Sequence, residues 1–213
     1  MTDDGLPVVD APAGRPDTSG VLGVVLAAGT SSRFGDANKL LATVGGEPLV
    51  RRAATTLLDA GLEVVVVVGH EATAVRDALA GLDVSFASNP AYQTGQSASV
   101  RAGVDAATER GVEAVVFLPG DMPFVSPGTV EVLVAAYRAD AGAALAVAHE
   151  GSRGNPVLFD RDCFDALRGV EGDVGGRSVL LGHDDAALVA VDDPGIRTDI
   201  DTREALESRR RDG

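Results

Sequence analysis

Short apolar runs recur along the chain, separated by longer stretches in which apolar and polar residues follow helical spacing. Val21–Ala27 is an unbroken apolar run, and Leu62–Val68 is another, interrupted only by Glu63. Ala114–Leu118 and Ala143–Ala148 follow, with Asp83–Ala87 as a weaker member of the series. Valine-rich runs that do not alternate predict strands buried on both faces of a largely parallel sheet. Between them, PLVRRAATTLLDAG predicts a helix with Pro48 in its first turn and Gly61 at its close. Glu71–Leu79, Ser97–Arg110 and Pro127–Arg138 predict further helices. Regular alternation up to about residue 148 gives an α/β fold, a doubly wound, mostly parallel sheet flanked by helices in a Rossmann-like arrangement. Beyond that point the pattern loosens. Asn155–Phe159 and Ala187–Val191 read as short strands around a loop rich in glycine and charge, and DTREALESRR reads as a closing helix.

A chain of 213 residues suits one domain with a sizeable core. Residues 1–20, rich in Pro, Gly and Asp, are expected to form a disordered leader. Residues 21–207 form the single domain, and 208–213 a frayed end. Hydrophobic residues make up 45% and aromatics only 4%, so the core must be aliphatic.

The net charge of −14 is spread along the chain, which repels nucleic acid and anionic membranes and excludes both as expected partners. No apolar run approaches bilayer length, and the N-terminus lacks a basic region followed by an apolar one, so a cytoplasmic protein is expected. Abundant Asp with a single Lys suggests adaptation to a salt-rich cytoplasm, where screening shortens the range of self-repulsion. Cys163 has no partner for a disulfide and reads as a small buried side chain. His70, His149 and His183 are scattered without metal-site spacing.

The first apolar run leads into VLGVVLAAGTSSRFGDANKLL, which holds Lys39, the only lysine among 18 basic residues. A small-residue turn at the end of a strand places backbone N–H groups where α/β proteins bind ligands. Leu26, Ala27, Ala28 and Gly29 leave room for a base and ribose, while Arg33 and Lys39 can reach phosphate oxygens. Neither GxxxxGK[ST] nor G-x-G-x-x-G is present, so a P-loop and a dinucleotide fingerprint both fail on spacing. A solvated surface loop is the plain alternative. A lysine kept where every other basic residue is arginine points instead to work for a compact point charge that a planar guanidinium does not replace.

LAAGTSSRFGDANKLL resembles the L-A-A-G-x-S-x-R-M-G-x-x-K-L-L signature of the MobA-like nucleotidyltransferases, above all the molybdenum cofactor cytidylyltransferase branch. Phe34 stands where that family usually has Met, and one extra residue precedes the lysine. NPAYQTGQSASVRAG resembles the family's G-x-x-x-S-[VL]-x-x-G element, which implies that Gly95, Gln96, Ser97 and Ser99 lie near base and ribose. LPGDMPFV resembles the G-D-x-P element, whose aspartate, here Asp121, binds magnesium. DIDTREAL resembles D-I-D-T-P-E-D-L, whose second aspartate, here Asp201, completes the metal site. GSRGNPVLF and GDVGGR resemble acceptor-side loops, implying acceptor contacts from Arg153, Gly154, Asn155, Pro156 and Arg177.

Magnesium suits such a pair, since it prefers oxygen ligands and takes one or two carboxylates with substrate phosphates. Asp199 shares a face with Asp201 on extended backbone and is a reserve ligand. Plainer roles exist: Asp121-Met122-Pro123 suits a turn, and Asp201 with Glu204 forms a capping box. Capping and metal binding can coexist on different oxygens.

The resemblance implies Mg2+-dependent transfer of CMP from CTP to molybdopterin with release of pyrophosphate, Arg33, Lys39 and Asp121 carrying the chemistry. It further implies molybdoenzymes as transient partners. Ala28 favours CTP, because guanylyl-transferring relatives resemble L-A-G-G at that place. Other readings stay open: GTP as donor, a sugar phosphate as acceptor, a glycosyltransferase with Asp199-Ile200-Asp201 as its D-x-D, or a regulatory nucleotide-binding module without turnover. An oxidoreductase fits least, for want of a dinucleotide fingerprint or a redox cysteine pair.

Overall fold

The structure is a computed structural model, and it describes residues 4–10, 12–30, 34, 37–172, 175–202, 204 and 207. The central strands are β2 (Val21–Ala27), β5 (Glu63–Val68) and β7 (Ala114–Pro119). Preceding β5 are the short hairpin strands β3 (Thr43–Val44) and β4 (Glu47–Pro48) and helix α1 (Leu49–Asp59). Between β5 and β7 come α2 (Ala72–Ala78), β6 (Val84–Ser88) and α3 (Gln96–Arg110). After β7 the chain forms α4 (Pro127–Arg138), β8 (Ala144–His149), β9 (Ser152–Asp160), α5 (Phe164–Arg168), α6 (Arg177–Gly182) and β10 (Ala186–Ala190).

Among the described residues, eight strands make one sheet in the order β1-β10-β8-β9-β7-β2-β5-β6, where β1 is Val8–Val9. All neighbours are parallel except β9, which runs antiparallel to both β7 and β8. Aliphatic side chains of β2, β5 and β7 alternate between two cores, as a sheet covered on both faces requires. Val64 and Val66 pack with Ala53 and Leu57 of α1 and Leu133 of α4. Leu22, Val24 and Phe117 pack on the other face with Val100 and Val104 of α3 and Leu167 of α5. The doubly wound architecture expected from the sequence is the one observed.

Three differences matter for the site. Residues 8 and 9, expected in a disordered leader, form an edge strand: Leu188 N donates to Pro7 O at 2.8 Å, and Val8 and Val9 pair with Leu188 and Val189. Two consecutive valines can satisfy an open sheet edge even inside a polar segment, which composition alone does not reveal. The strand expected at Asn155–Phe159 extends to Ser152–Asp160, because partners on both sides satisfy its backbone. Pro48 precedes α1 at its N-cap and does not enter the first turn. The closing helix lies largely outside the described residues; Glu204 and Glu207 are helical. Among the described residues no helix is long and apolar enough to cross a membrane.

The segment after β10 is pinned at two points. Asp193, 8% exposed, accepts from Ser126 N at 2.9 Å, Thr129 Oγ1 at 2.5 Å and Gly195 N at 2.8 Å. Farther on, Ile200 N donates to Asp121 O at 3.0 Å. These bonds bring the Asp199–Asp201 stretch to the carboxyl end of β7.

Candidate functional site

β2 ends at Ala27, and the following residues turn over the carboxyl edge of the sheet. Ala28 is 1% exposed and its O accepts from His70 N at 3.2 Å. A Cβ added at Gly69 would stand 2.9 Å from Ala28 Cβ and 2.8 Å from Tyr92 Cβ. Glycine is therefore what lets the β2 turn, the end of β5 and the Tyr92 loop close on each other. The Ala28 methyl group faces this contact and forms floor, with little of it raised toward a ligand. Arg33 lies outside the described residues.

Asn38 Oδ1 accepts from Leu40 N at 3.1 Å and opens a 3-10 turn over Lys39–Leu41, anchored by the buried Leu40. The turn sends Lys39 inward. Its Nζ lies 2.5 Å from Asp121 Oδ2 and 2.5 Å from Asp201 Oδ1. The Lys39 and Asp121 side chains are only 17% and 15% exposed, so this is a shielded cluster and not a surface pair. Burial acts to lower the Lys39 pKa, but the charges and hydrogen bonds of Asp121 and Asp201 outweigh it, and the net direction is upward. Asp199 stands more exposed at the rim. Loss of water there, and then the Asp201 charge, still push its carboxyl above the ordinary range.

One carboxylate oxygen each from Asp121, Asp199 and Asp201 lie within 4.8 Å of one another. Hard, anionic oxygens at that spacing suit Mg2+, which takes carboxylates and substrate phosphates in one shell. Three like charges so close repel, and the Lys39 ammonium offsets part of that repulsion.

A cavity of about 780 Å3 opens above the cluster. Leu26, Ala28, Gly29, Lys39, Asp121 and Asp201 line one side; Gly95, Gln96 and Ser99 line another. Gly95 has φ +110 and sits at the N-cap of α3, so the N-terminus of that 15-residue helix meets the cavity. Backbone N–H groups there favour an anion. Ser99 Oγ accepts from the buried Asn89 Nδ2 at 3.1 Å, which fixes its position.

Two expected members are not in the wall: Ala27 and Ser97 are fully buried. Ala27 is the last residue of a central strand and Ser97 lies in the first turn of α3, where both face the protein interior. The cavity also recruits Thr30, Tyr92, Gln93 and Thr94, which sequence reasoning missed. The signal for Tyr92, Gln93 and Thr94 was the AYQT stretch just before Gly95, and for Thr30 its place directly after Gly29.

A second cavity of about 410 Å3 adjoins the first, since Gln96 and Asp121 line both. Arg153, Gly154, Asn155 and Asp199 are in its wall, and Arg197 was not foreseen. Gly154 has a packing reason of its own: an added Cβ would run into the backbone carbonyl of Ile196. Pro156 is buried within β9 and does not reach the cavity. Arg177 begins α6 outside the cavity wall. Arg153 and Arg177 nevertheless meet on Asp4, at 2.7 and 3.4 Å.

Residues 23–187 match the family model described as the MobA-like NTP transferase domain. The chain belongs to this family. It is 31% identical over 207 residues to the purine catabolism protein PucB of Bacillus subtilis, covering 90% of this chain and 96% of that relative. It is 34% identical over 202 residues to a nicotine blue oxidoreductase of Paenarthrobacter nicotinovorans, covering 91% and 98%. A probable molybdenum cofactor guanylyltransferase of Natronomonas pharaonis matches at 36% identity over 112 residues, 52% of this chain and 54% of the relative.

Among solved structures, a nucleotidyl transferase from Methanothermobacter superposes with a TM-score of 0.76 at 27% identity, covering 90% of this chain and 96% of that one. In this MobA-like chain, as the sequence pattern led one to expect, the crevice lies at the carboxyl ends of β2 and β7.

Proposed function

We propose that the protein is a nucleotidyltransferase that moves CMP from CTP to molybdopterin, releasing pyrophosphate. One observation carries this reading: Asp121 stands in the wall that two adjoining cavities share, with Lys39 and Asp201 against it. A donor in the larger cavity and an acceptor in the smaller one would then meet at a single carboxylate cluster.

The base and ribose lie over Leu26, Ala28 and Gly29 and beside Gly95, Gln96 and Ser99. Lys39, with Arg33, holds the triphosphate. An oxygen of the acceptor's terminal phosphate bonds to the α-phosphorus while the bond to the β-phosphate oxygen breaks, and pyrophosphate departs with that electron pair. Most of the acceleration is positioning and electrostatic stabilisation, as phosphoryl chemistry requires. Asp121, Asp201 and the rim residue Asp199 would hold Mg2+, which supplies charge neutralisation at the reacting phosphate.

Calorimetry in high salt with Mg2+, comparing CTP, GTP, UTP and ATP, tests the donor. Selective CTP binding, weakened by Lys39→Ala and Asp121→Asn, supports the reading, and pyrophosphate release with molybdopterin then tests the acceptor. Folded protein that binds no nucleotide would sink it.

GTP is the second reading. It is favoured by the guanylyltransferase relative and by the inward packing of the Ala28 methyl group, which leaves little to exclude a purine. The oxidoreductase name of one relative makes a redox assay on the same samples worthwhile.

A further inference from the structure

Arg153 and Arg177 come from different elements, β9 and the first turn of α6, yet both guanidinium groups converge on one carboxylate. Arg153 Nε donates to Asp4 Oδ2 at 2.7 Å and Arg177 Nη2 to Asp4 Oδ1 at 3.4 Å. The pair with Arg153 is shielded, with side chains 19% and 15% exposed. The Arg153 hydrogen bond, against some burial, holds the Asp4 carboxyl below its ordinary range. Arginine forks that seat a carboxylate seat a phosphate equally well.

Arg153 also stands in the wall of the smaller cavity with Asp121 and Asn155. Asp4 reaches this place from the residues that lead into β1. Gly5 turns with φ +72, Leu6 packs on the α3-side core, and Val8–Val9 pair with the sheet edge. Val8 remains 50% exposed.

We propose that Asp4 is a tethered stand-in for the phosphate monoester of the acceptor, held on Arg153 and Arg177, the two arginines already expected to contact the acceptor. The segment of residues 4–7 then competes with the acceptor and must swing aside for it to bind. This rests on the reading that the smaller cavity takes the acceptor. The arm would set acceptor affinity while leaving the nucleotide cavity untouched.

Orthophosphate titration of the full chain, read by calorimetry without nucleotide, is the test. Removing a tethered competitor raises apparent affinity by the reciprocal of the fraction of sites it left open, so a competitor that closes about four fifths of them makes Asp4→Asn bind phosphate roughly 5-fold more tightly than the parent. Adding Arg153→Ala should abolish the gain. Acetate, titrated in parallel, should gain less than phosphate. Equal phosphate affinity in parent and Asp4→Asn, or a gain for acetate alone, overturns the proposal.

Should Asp4→Asn fail to fold, amide exchange in the parent decides. The Asp4, Gly5 and Leu6 amides should exchange faster at saturating phosphate, and unchanged exchange with phosphate bound overturns the idea. None of these measurements needs turnover. Absence of transfer to every acceptor would count against the transferase reading, while tighter phosphate binding by Asp4→Asn would still uphold the subsite.

Discussion

Lys39 Nζ lies 2.5 Å from Asp121 Oδ2, although 82 positions separate the two residues. The lysine that is unique in the chain neutralises the carboxylate shared by both cavities. Its substitution leaves Asp121 and Asp201 facing each other without that cation. Lys39→Ala should therefore lose about 1–3 kcal/mol of stability in EDTA, between the values for exposed and buried pairs. Mg2+ should restore part of the loss by occupying the same charge position. Denaturant melts with and without Mg2+ measure this, and a loss indifferent to Mg2+ would contradict a shared cation position.

Asp121→Asn keeps the shape of the side chain and removes its charge. Pyrophosphate release should fall by about 100-fold or more, the usual scale for removing one electrostatic element from such a site. Asp199→Asn, at the exposed rim, should lose less. Equal losses would make Asp199 a full member of the cluster.

Glycines 29 and 154 should separate packing from binding. An added Cβ at Gly154 collides with the Ile196 backbone, so Gly154→Ala should cost about 1–3 kcal/mol by chemical denaturation. At Gly29 an added Cβ meets nothing within 4 Å. Gly29→Ala should leave stability within about 0.5 kcal/mol, as surface changes do, while weakening CTP binding.

Cys163 is 1% exposed. Burial first, and then the charges of Asp160 and Asp162, push its thiol up to about 11. A raised value in the folded state means its contribution is complete below the ordinary thiol value of 9.0 and is lost as pH rises through about 11. Tyr137 acts in the same direction: burial, and then its 2.5 Å hydrogen bond to Asp160, raise the phenol well above its usual value. Thermal stability should decline above pH 9, and Cys163→Ala and Tyr137→Phe should each flatten part of that decline. A native thiol that reacts with disulfide reagents at pH 8 as fast as unfolded chain would contradict the burial argument.

The sequence by itself determined the central layers of the fold. Val21–Ala27, Leu62–Val68 and Ala114–Leu118 had no polar face to turn to solvent, so burial between helices was their only stable arrangement. Pro127–Arg138 was legible to the residue because Ser126 caps it, accepting from Thr129 N, and Pro127 fits its first turn. Lys39, Asp121 and Asp201 could be chosen from motif and charge type.

Only tertiary structure decided what those residues face. Ser97 and Ala27 share motifs with cavity residues yet point into the core, because side-chain direction follows helix phase and strand pleat and not motif membership. Pairing with β8 and β7 made β9 long, and a free edge on β10 made Val8–Val9 a strand. No local pattern could have announced that Asp4 meets Arg153, since an ion pair 149 positions apart exists only once the sheet has brought both ends of the chain to one place.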